Sequence, residues 1–407
     1  MGERPAIDAD LNSRELSRAA CERNEGRKVI DADAAAMAVG AGPAGLAVSS
    51  CLSAAGADCV VLEQGDQIGM SWHGHYDRLH LHTDKGHSAL PLLGFDAAIP
   101  RYPSRLQVVD YLERYARQFD LRVRFGERLI AAQRVGGLWE AHTASRIWRA
   151  PCLIVATGYN RVARVGEWPT LGAFRGELLH SCAYRNGQSY KGRKVLVVGL
   201  GNSGGEIAID LHESGATVGL SVRGPVNIIP REILGVPILT FSILESRLPA
   251  PLADRLNAPI QRALVGDLSR FGLRRPAQGP MQQIRDGGRI PLIDIGTVDL
   301  IKRGRIQVFP AIDRFFEGGV GFVDGRWQPF DAVILATGYS PRLGELLPDV
   351  AGVVDSRGVP NTSGCESAAR GLYFCGFRVA ASGMLREIGL EARRIAAAIT
   401  RKLESTG

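Results

Sequence analysis

Two glycine clusters carry the plainest chemistry in the sequence. Gly40-Ala-Gly42-Pro-Ala-Gly45 and Gly199-Leu-Gly201-Asn202-Ser203-Gly204 both have the spacing GxGxxG. The first glycine of such a set permits a tight turn, the second lets backbone approach a pyrophosphate, and the third lets a helix pack closely on the strand before it. A helix N-terminus then faces the phosphate charge. Glu63 follows the first cluster by roughly twenty residues, at the end of the apolar run Cys59-Val-Val-Leu, where a carboxylate accepts hydrogen bonds from a ribose hydroxyl. After the second cluster the matching run ends in Val222-Arg223, and a guanidinium there binds a 2′-phosphate bidentately. The first site is therefore expected to hold FAD and the second NADPH in preference to NADH, with a merely solvated Arg223 as the alternative.

Nicotinamide would supply a hydride to the flavin, and the cysteines limit what the reduced flavin does next. Cysteines stand at 21, 51, 59, 152, 182, 365 and 375, with no CxxC pair, so electron transfer to a disulfide lacks its close thiol pair. Cys365 and Cys375, the nearest pair in the C-terminal region, read as buried structural residues. His73, His75, His80, His82 and His87 crowd one stretch, yet without a cysteine or convergent acids no metal site is expected.

These residues need elements to position them. Each glycine cluster follows an apolar strand and opens a helix that leads to another strand, which makes two βαβ units. The runs Cys152–Tyr159 and Ala332–Tyr339 both end in Ala-Thr-Gly-Tyr, and the second, with Thr337 and Gly338, is expected to mark a return to the first domain. The fold class that follows is α/β, with two Rossmann-like dinucleotide-binding domains and the NADPH domain inserted in a discontinuous FAD domain. The expected boundaries are a polar N-terminal extension over 1–33, an FAD-binding domain over 34–165 and 330–407, and an NADPH-binding domain over 166–329. Within the last, 225–291 is expected to form irregular helices covering a pocket. Gly376, closing the strand Gly371–Gly376, joins the flavin-binding candidates.

Composition agrees with a soluble enzyme. The 407 residues are 45% hydrophobic and 22% charged, which excludes wholesale disorder, and the 49 glycines show no collagen-like triplet. The net charge of +7 comes from basic residues scattered along the chain, so a nucleic-acid surface is not expected. No stretch is long and apolar enough to span a membrane, no secretory signal pattern opens the chain, and a cytoplasmic location is the expectation. The partners expected are a small-molecule substrate and molecular oxygen, with a homo-oligomer compatible with the composition.

Between the glycine clusters, Phe174-Arg-Gly176-Glu-Leu-Leu-His180-Ser-Cys-Ala-Tyr184 has the form FxGxxxHxxxY, and it resembles the fingerprint of flavin-dependent monooxygenases. Arg185 stands where the Baeyer–Villiger branch usually has Trp or Pro, so the likeness is to the flavin-containing monooxygenases. Among these the chain most nearly resembles the YUCCA-like indole-3-pyruvate monooxygenases and their bacterial relatives. The segments Tyr76–Lys85, Tyr102–Leu112, Pro230–Gly235, Phe271–Pro276, Leu292–Gly296 and Ile334–Tyr339 carry this likeness, which runs from roughly Met37 to Ile399.

The resemblance implies an FAD- and NADPH-dependent monooxygenase acting through a flavin C4a-(hydro)peroxide, with oxidative decarboxylation of an arylpyruvate such as indole-3-pyruvate. Oxygenation of an amine or sulfide at N or S, or an electron-transfer reductase serving a protein partner, are the alternatives. It places Gly69, Ser71 and Trp72 along FAD, has Phe174 and His180 link the two nucleotide domains, and puts Asn202 and Ser203 at the second nucleotide. His82, Lys85 and Asn202 are the catalytic candidates. Lys85 would pair with a substrate carboxylate, and the adjacent Asp84 stands where it could neutralise that lysine.

Overall fold

The computed structural model of the chain describes residues 32–405. Buried Ala36–Val39 form strand β1, and Gly40, at φ +109°, turns the chain into helix α1 (Pro43–Ala54). Pro43 takes the first helical position, where its missing N–H leaves no bond unmade. Strand β2 (Cys59–Leu62) follows, then helix α2 (Arg105–Gln118). A capping box starts α2: Ser104 Oγ accepts from the Gln107 N–H while Gln107 Oε1 accepts from the Ser104 N–H. Strands β3 (Arg122–Arg124) and β4 (Cys152–Val155) complete this run.

The next run contains β5 (Glu177–His180), β6 (Lys194–Val198), α3 (Asn202–Glu213) and β7 (Thr217–Ser221). Three helices, α4 (Ile238–Glu245), α5 (Ala250–Val265) and α6 (Pro280–Gly287), precede β8 (Ile306–Phe309) and β9 (Ala332–Leu335). The segment expected to be irregular thus contains regular helices. Strand β10 (Leu372–Phe374) and helix α7 (Met384–Glu404) end the fold.

Two five-stranded parallel sheets result, ordered β10-β4-β1-β2-β3 and β8-β7-β6-β9-β5. Their central strands are buried on both faces, which explains why they read as continuous Val/Ile/Leu runs without alternation. In each sheet the strand order reverses at the strand before the glycine turn, and such a switch point opens a crevice at the strands' carboxyl ends.

The two units repeat one plan. In the first, β1, turn, α1, β2 and β3 are followed by an antiparallel sheet of Leu129–Val135, Leu138–Thr143 and Ile147–Ala150, and then by β4 beside β1. In the second, β6, turn, α3, β7 and β8 are followed by an antiparallel sheet of Ile312–Phe316, Gly319–Phe322 and Trp327–Pro329, and then by β9 beside β6. This corrects the expectation for Ala332–Tyr339. The run pairs with β6 and β5, so it closes the second unit, and the expected boundary at 330 falls inside that unit. The physical reason is that each Ala-Thr-Gly-Tyr turn packs on the glycine turn of its own unit. The chain re-enters the first sheet only with β10.

At the N-terminal edge, the Asp33 N–H donates to the Arg149 carbonyl at 2.8 Å, which puts Asp33 in the fold, while residues 1–31 of the expected extension lie outside the described residues. Helix α7 buries Ile388, Ala392, Ile395 and Ile399 along one helical face in the core shared with α1. Among the described residues no helix is long and apolar enough to cross a membrane.

Candidate functional site

A cavity of about 790 Å³ lies between the two glycine turns and touches both, at Gly42 and at Asn202. Steric contacts show which glycines the fold itself requires. A Cβ on Gly40 would stand 2.6 Å from the Ala156 carbonyl oxygen, and one on Gly45 would stand 1.9 Å from the Gly40 carbonyl oxygen. The second turn repeats this, at 2.6 Å from Ala336 for Gly199 and 2.0 Å from Gly199 for Gly204. At Gly42 and Gly201 a Cβ would meet nothing within 4 Å. Both are N-cap residues without a side-chain cap, so the first N–H groups of α1 and α3 face open space. Uncapped donors beside a cradle that a Cβ would fill suit a dinucleotide's pyrophosphate.

Around the first turn, Glu63 is buried, with Oε2 accepting from the Ala41 N–H at 2.7 Å and Oε1 from the Gly65 N–H at 2.9 Å. Each oxygen keeps a lone pair, and the residue lines the cavity beside Ser71 and Trp72. Gly69 is not on the wall; it has φ +67° and its N–H donates to Ala41 O at 2.9 Å, fastening the Ser71–Trp72 turn to the glycine turn. Gly376 is on the wall, its N–H donating to Glu391 Oε2 at 2.7 Å. Thr157, on the wall with a buried and unpartnered Oγ1, was not singled out from the sequence, although its place in the repeated Ala-Thr-Gly-Tyr could have revealed it.

In the second unit, Asn202 lines the cavity and its Oδ1 accepts from the Ile293 N–H at 2.9 Å. Arg223, two residues past the end of β7, is exposed and has no hydrogen bond or ion pair among the described residues. Ser203, Gly338 and Thr337 stay off the cavity wall. Thr337 Oγ1 donates to the Arg164 carbonyl, at the place where Tyr339–Ser340 pairs with Val162–Ala163 and the two units are bridged. His180 acts at the same place. Its Nδ1 accepts from the Cys182 N–H at 3.2 Å, so Nε2 carries the proton and donates to Gly338 O at 3.2 Å. Burial lowers the pKa of this imidazole, and its edge meets the ring of the wall residue Tyr339.

Two expected site residues are corrected. Lys85 Nζ donates to the carbonyls of Asp96 (3.0 Å), Ala97 (2.8 Å) and Ile99 (2.5 Å), so the ammonium staples a loop and is not presented to the cavity. Asp84 does not neutralise it; Asp84 accepts from the N–H groups of Gly86 and His87 and contacts His87 Nδ1 at 2.8 Å. Phe174 packs edge-on against Phe315, with ring centroids 5.9 Å apart, inside the second unit's core rather than between the units.

The histidines disperse. His73 lies 3.8 Å from Glu113, His80 Nδ1 contacts Arg78 O at 2.7 Å, and His87 belongs to Asp84. His75 and His82 line the cavity, and burial, with Arg105 and Arg185 nearby, lowers the pKa of His75. His82 Nε2 stands 3.3 Å from Oε1 of Glu206, a fully buried carboxylate on α3 whose Oε2 accepts from the Tyr76 hydroxyl at 2.6 Å. Glu206 thus ties the 76–82 loop of the first unit to the second, and burial followed by the Glu206 charge holds Tyr76 well above the ordinary phenol range. Sequence reasoning missed Glu206; its only signal was an acid among the small and apolar residues Gly204–Ile209. The six described cysteines are free, and Cys365 is exposed rather than buried.

Residues 37–230 match the family model described as pyridine nucleotide-disulphide oxidoreductase. The chain is 38% identical over 400 residues to the indole-3-pyruvate monooxygenase YUCCA4 of Oryza sativa subsp. japonica, covering 93% of this chain and 90% of that protein. Its fold is similar to that of a flavin-containing monooxygenase from Stenotrophomonas maltophilia, with a TM-score of 0.72 at 22% identity over 92% of this chain and 100% of that one. It is also similar to OTEMO in complex with FAD and NADP, with a TM-score of 0.71 at 18% identity over 93% of this chain and 87% of that one.

Proposed function

The chain belongs to the YUCCA family of flavin-dependent monooxygenases, and from that premise we propose that it converts an arylpyruvate to the arylacetate. It is an FAD- and NADPH-dependent oxidoreductase. The reaction proposed balances as arylpyruvate, O₂, NADPH and one proton giving arylacetate, CO₂, water and NADP⁺, with indole-3-pyruvate as the leading substrate. The observation that carries this reading is the single cavity that touches both open glycine turns, because it lets two dinucleotides meet end to end under one roof.

Bound flavin, reduced by NADPH, supplies the oxygen-activating chemistry, and the chain's residues bind, orient and keep out water. We assign the first unit to FAD: the α1 N-terminus at Gly42 holds its pyrophosphate, and Glu63 accepts from its ribose. The second unit takes NADPH, with the α3 N-terminus at Gly201 on the pyrophosphate and the unpaired Arg223 on the 2′-phosphate. Asn202, whose oxygen is engaged by Ile293 and whose Nδ2 has no partner among the described residues, is a donor toward the ligand lying between the two turns. His82, held by Glu206, is placed to hold or pass the proton the reaction consumes. Apolar faces of α4, α5 and α6 cover the cavity and exclude water. Six free thiols fit a reducing compartment, and we place the enzyme in the cytoplasm.

Product analysis by mass spectrometry, with NADPH and a panel of keto acids, amines and sulfides, tests this reading. Arylacetate from an arylpyruvate supports it. Efficient oxygenation of an amine or sulfide with no keto-acid product overturns the substrate assignment.

A further inference from the structure

We propose that Glu245 sets specificity within the arylpyruvates by accepting the ring N–H of an indole-bearing substrate. The proposal rests on the arylpyruvate reading above and adds to it a preference for one ring over another.

The roof of the cavity is mostly apolar, and Glu245 is the one acid that its three helices bring to the wall. Helix α4 presents Ile238, Leu239, Ser242 and Glu245, which are spaced as one helical face. Helix α5 answers with Asn257, Ile260, Gln261 and Leu264, and α6 adds Met281 and Ile284. Within this surface Asn257 Nδ2 donates to Glu245 Oε2 at 2.7 Å, which fixes the carboxyl group, while Oε1 has no partner among the described residues. The other acid nearby is already committed: Asp254 accepts from the Met281 and Gln282 N–H groups at 2.9 Å each, at the start of α6. Burial, the largest cause, and the Asp254 charge raise the Glu245 pKa, and the Asn257 hydrogen bond opposes them.

The distances suit the assignment. A Cβ on Gly383 would stand 3.4 Å from Leu239, so the start of α4 sits over the loop that carries Gly376 on the flavin side of the cavity. Glu245 lies six residues further along the helix, a rise of about 9 Å. In indole-3-pyruvate the ring nitrogen is about 5 Å from the keto carbon, so an oxygen accepting its N–H stands about 8 Å from that carbon. The two lengths are comparable, so a substrate whose carbonyl lies near the start of α4 can bring its ring N–H to Glu245, whereas phenylpyruvate brings nothing to donate there. A site built around a polar partner discriminates against the analogue that lacks it.

The experiment measures kcat/KM for indole-3-pyruvate relative to phenylpyruvate in the wild-type holoenzyme, Glu245→Gln and Glu245→Leu. It also measures binding of indole-3-acetate and 1-methylindole-3-acetate to the oxidised holoenzyme by calorimetry. Wild type should bind the free N–H form about 10- to 100-fold more tightly than the methylated one. Glu245→Leu should lose that difference and lower the substrate ratio by a similar factor, while Glu245→Gln, which keeps a carbonyl acceptor, should fall between. Equal binding of the two acetates by wild type overturns the proposal without reference to any variant. So does an unchanged substrate ratio in Glu245→Leu with full flavin content. Turnover of neither keto acid by wild type overturns the arylpyruvate reading, and the proposal with it.

Discussion

Replacing Gly42 with valine separates what the fold requires from what the cofactor requires. Gly42 has φ −85° and ψ −174°, an extended conformation open to valine, and a Cβ there meets nothing within 4 Å, so the protein alone should tolerate the change. The side chain would instead fill the space before the α1 N-terminus. Losing two charge-assisted bonds from backbone N–H groups to a pyrophosphate costs about 3–6 kcal/mol, which weakens FAD binding by roughly two to four orders of magnitude. The purified variant should be colourless, while the apo forms of variant and wild type should unfold at similar temperatures by circular dichroism. Comparing apo with apo matters because bound ligand raises apparent stability by mass action. Gly45→Ala is the contrasting control: its Cβ would lie 1.9 Å from Gly40 O, so folding itself should fail. A yellow Gly42→Val protein with about one FAD per chain would show that position 42 does not face the FAD pyrophosphate.

Arg223→Ala should weaken NADPH use by roughly 30-fold, on the order of 2 kcal/mol, and leave NADH use nearly unchanged; equal losses in stopped-flow flavin reduction would show that Arg223 does not hold the 2′-phosphate. Glu206→Ala removes the acceptor of the Tyr76 hydroxyl and the carboxylate beside His82, and should lower stability by about 2–3 kcal/mol in urea unfolding, whereas a loss below about 1 kcal/mol would mean that the cluster does not bind the 76–82 loop to α3. Burial raises the pKa of Glu391 above its ordinary 4.5, so its stabilising contribution is full below that value and is lost as pH rises through the folded value. Glu391→Gln keeps an acceptor for the Gly376 N–H and removes the buried charge, so the fall in melting temperature between acidic and neutral pH should shrink; an unchanged fall would contradict this.

The elements legible in the sequence are those enforced by local contact. Gly40, Gly45, Gly199 and Gly204 are glycines because a Cβ would strike backbone, and such positions announce themselves. The split first unit was legible too, but the place of Ala332–Leu335 was not. Its likeness to Cys152–Val155 pointed to the first sheet, whereas the structure shows that the likeness reflects a repeated role, each run packing on its own unit's turn. Lys85 was misread because a lysine's type says nothing about which carbonyls lie near it; its three partners belong to a loop more than ten residues away. Glu206 and Glu245 went unseen for a related reason: their partners, Tyr76 and His82 in one case and a neighbouring helix in the other, are set by packing between elements.

In the proposed reaction the cavity couples NADPH and oxygen to the loss of a carboxylate, as CO₂, from an arylpyruvate. Turnover of indole-3-pyruvate under ¹⁸O₂, with NADPH, CO₂ and arylacetate quantified together, tests it most directly. NADPH oxidised, CO₂ released and arylacetate formed should be equal in amount, with one labelled oxygen atom in the product carboxylate. NADPH oxidation that yields hydrogen peroxide in equal amount, with no labelled product, would contradict it.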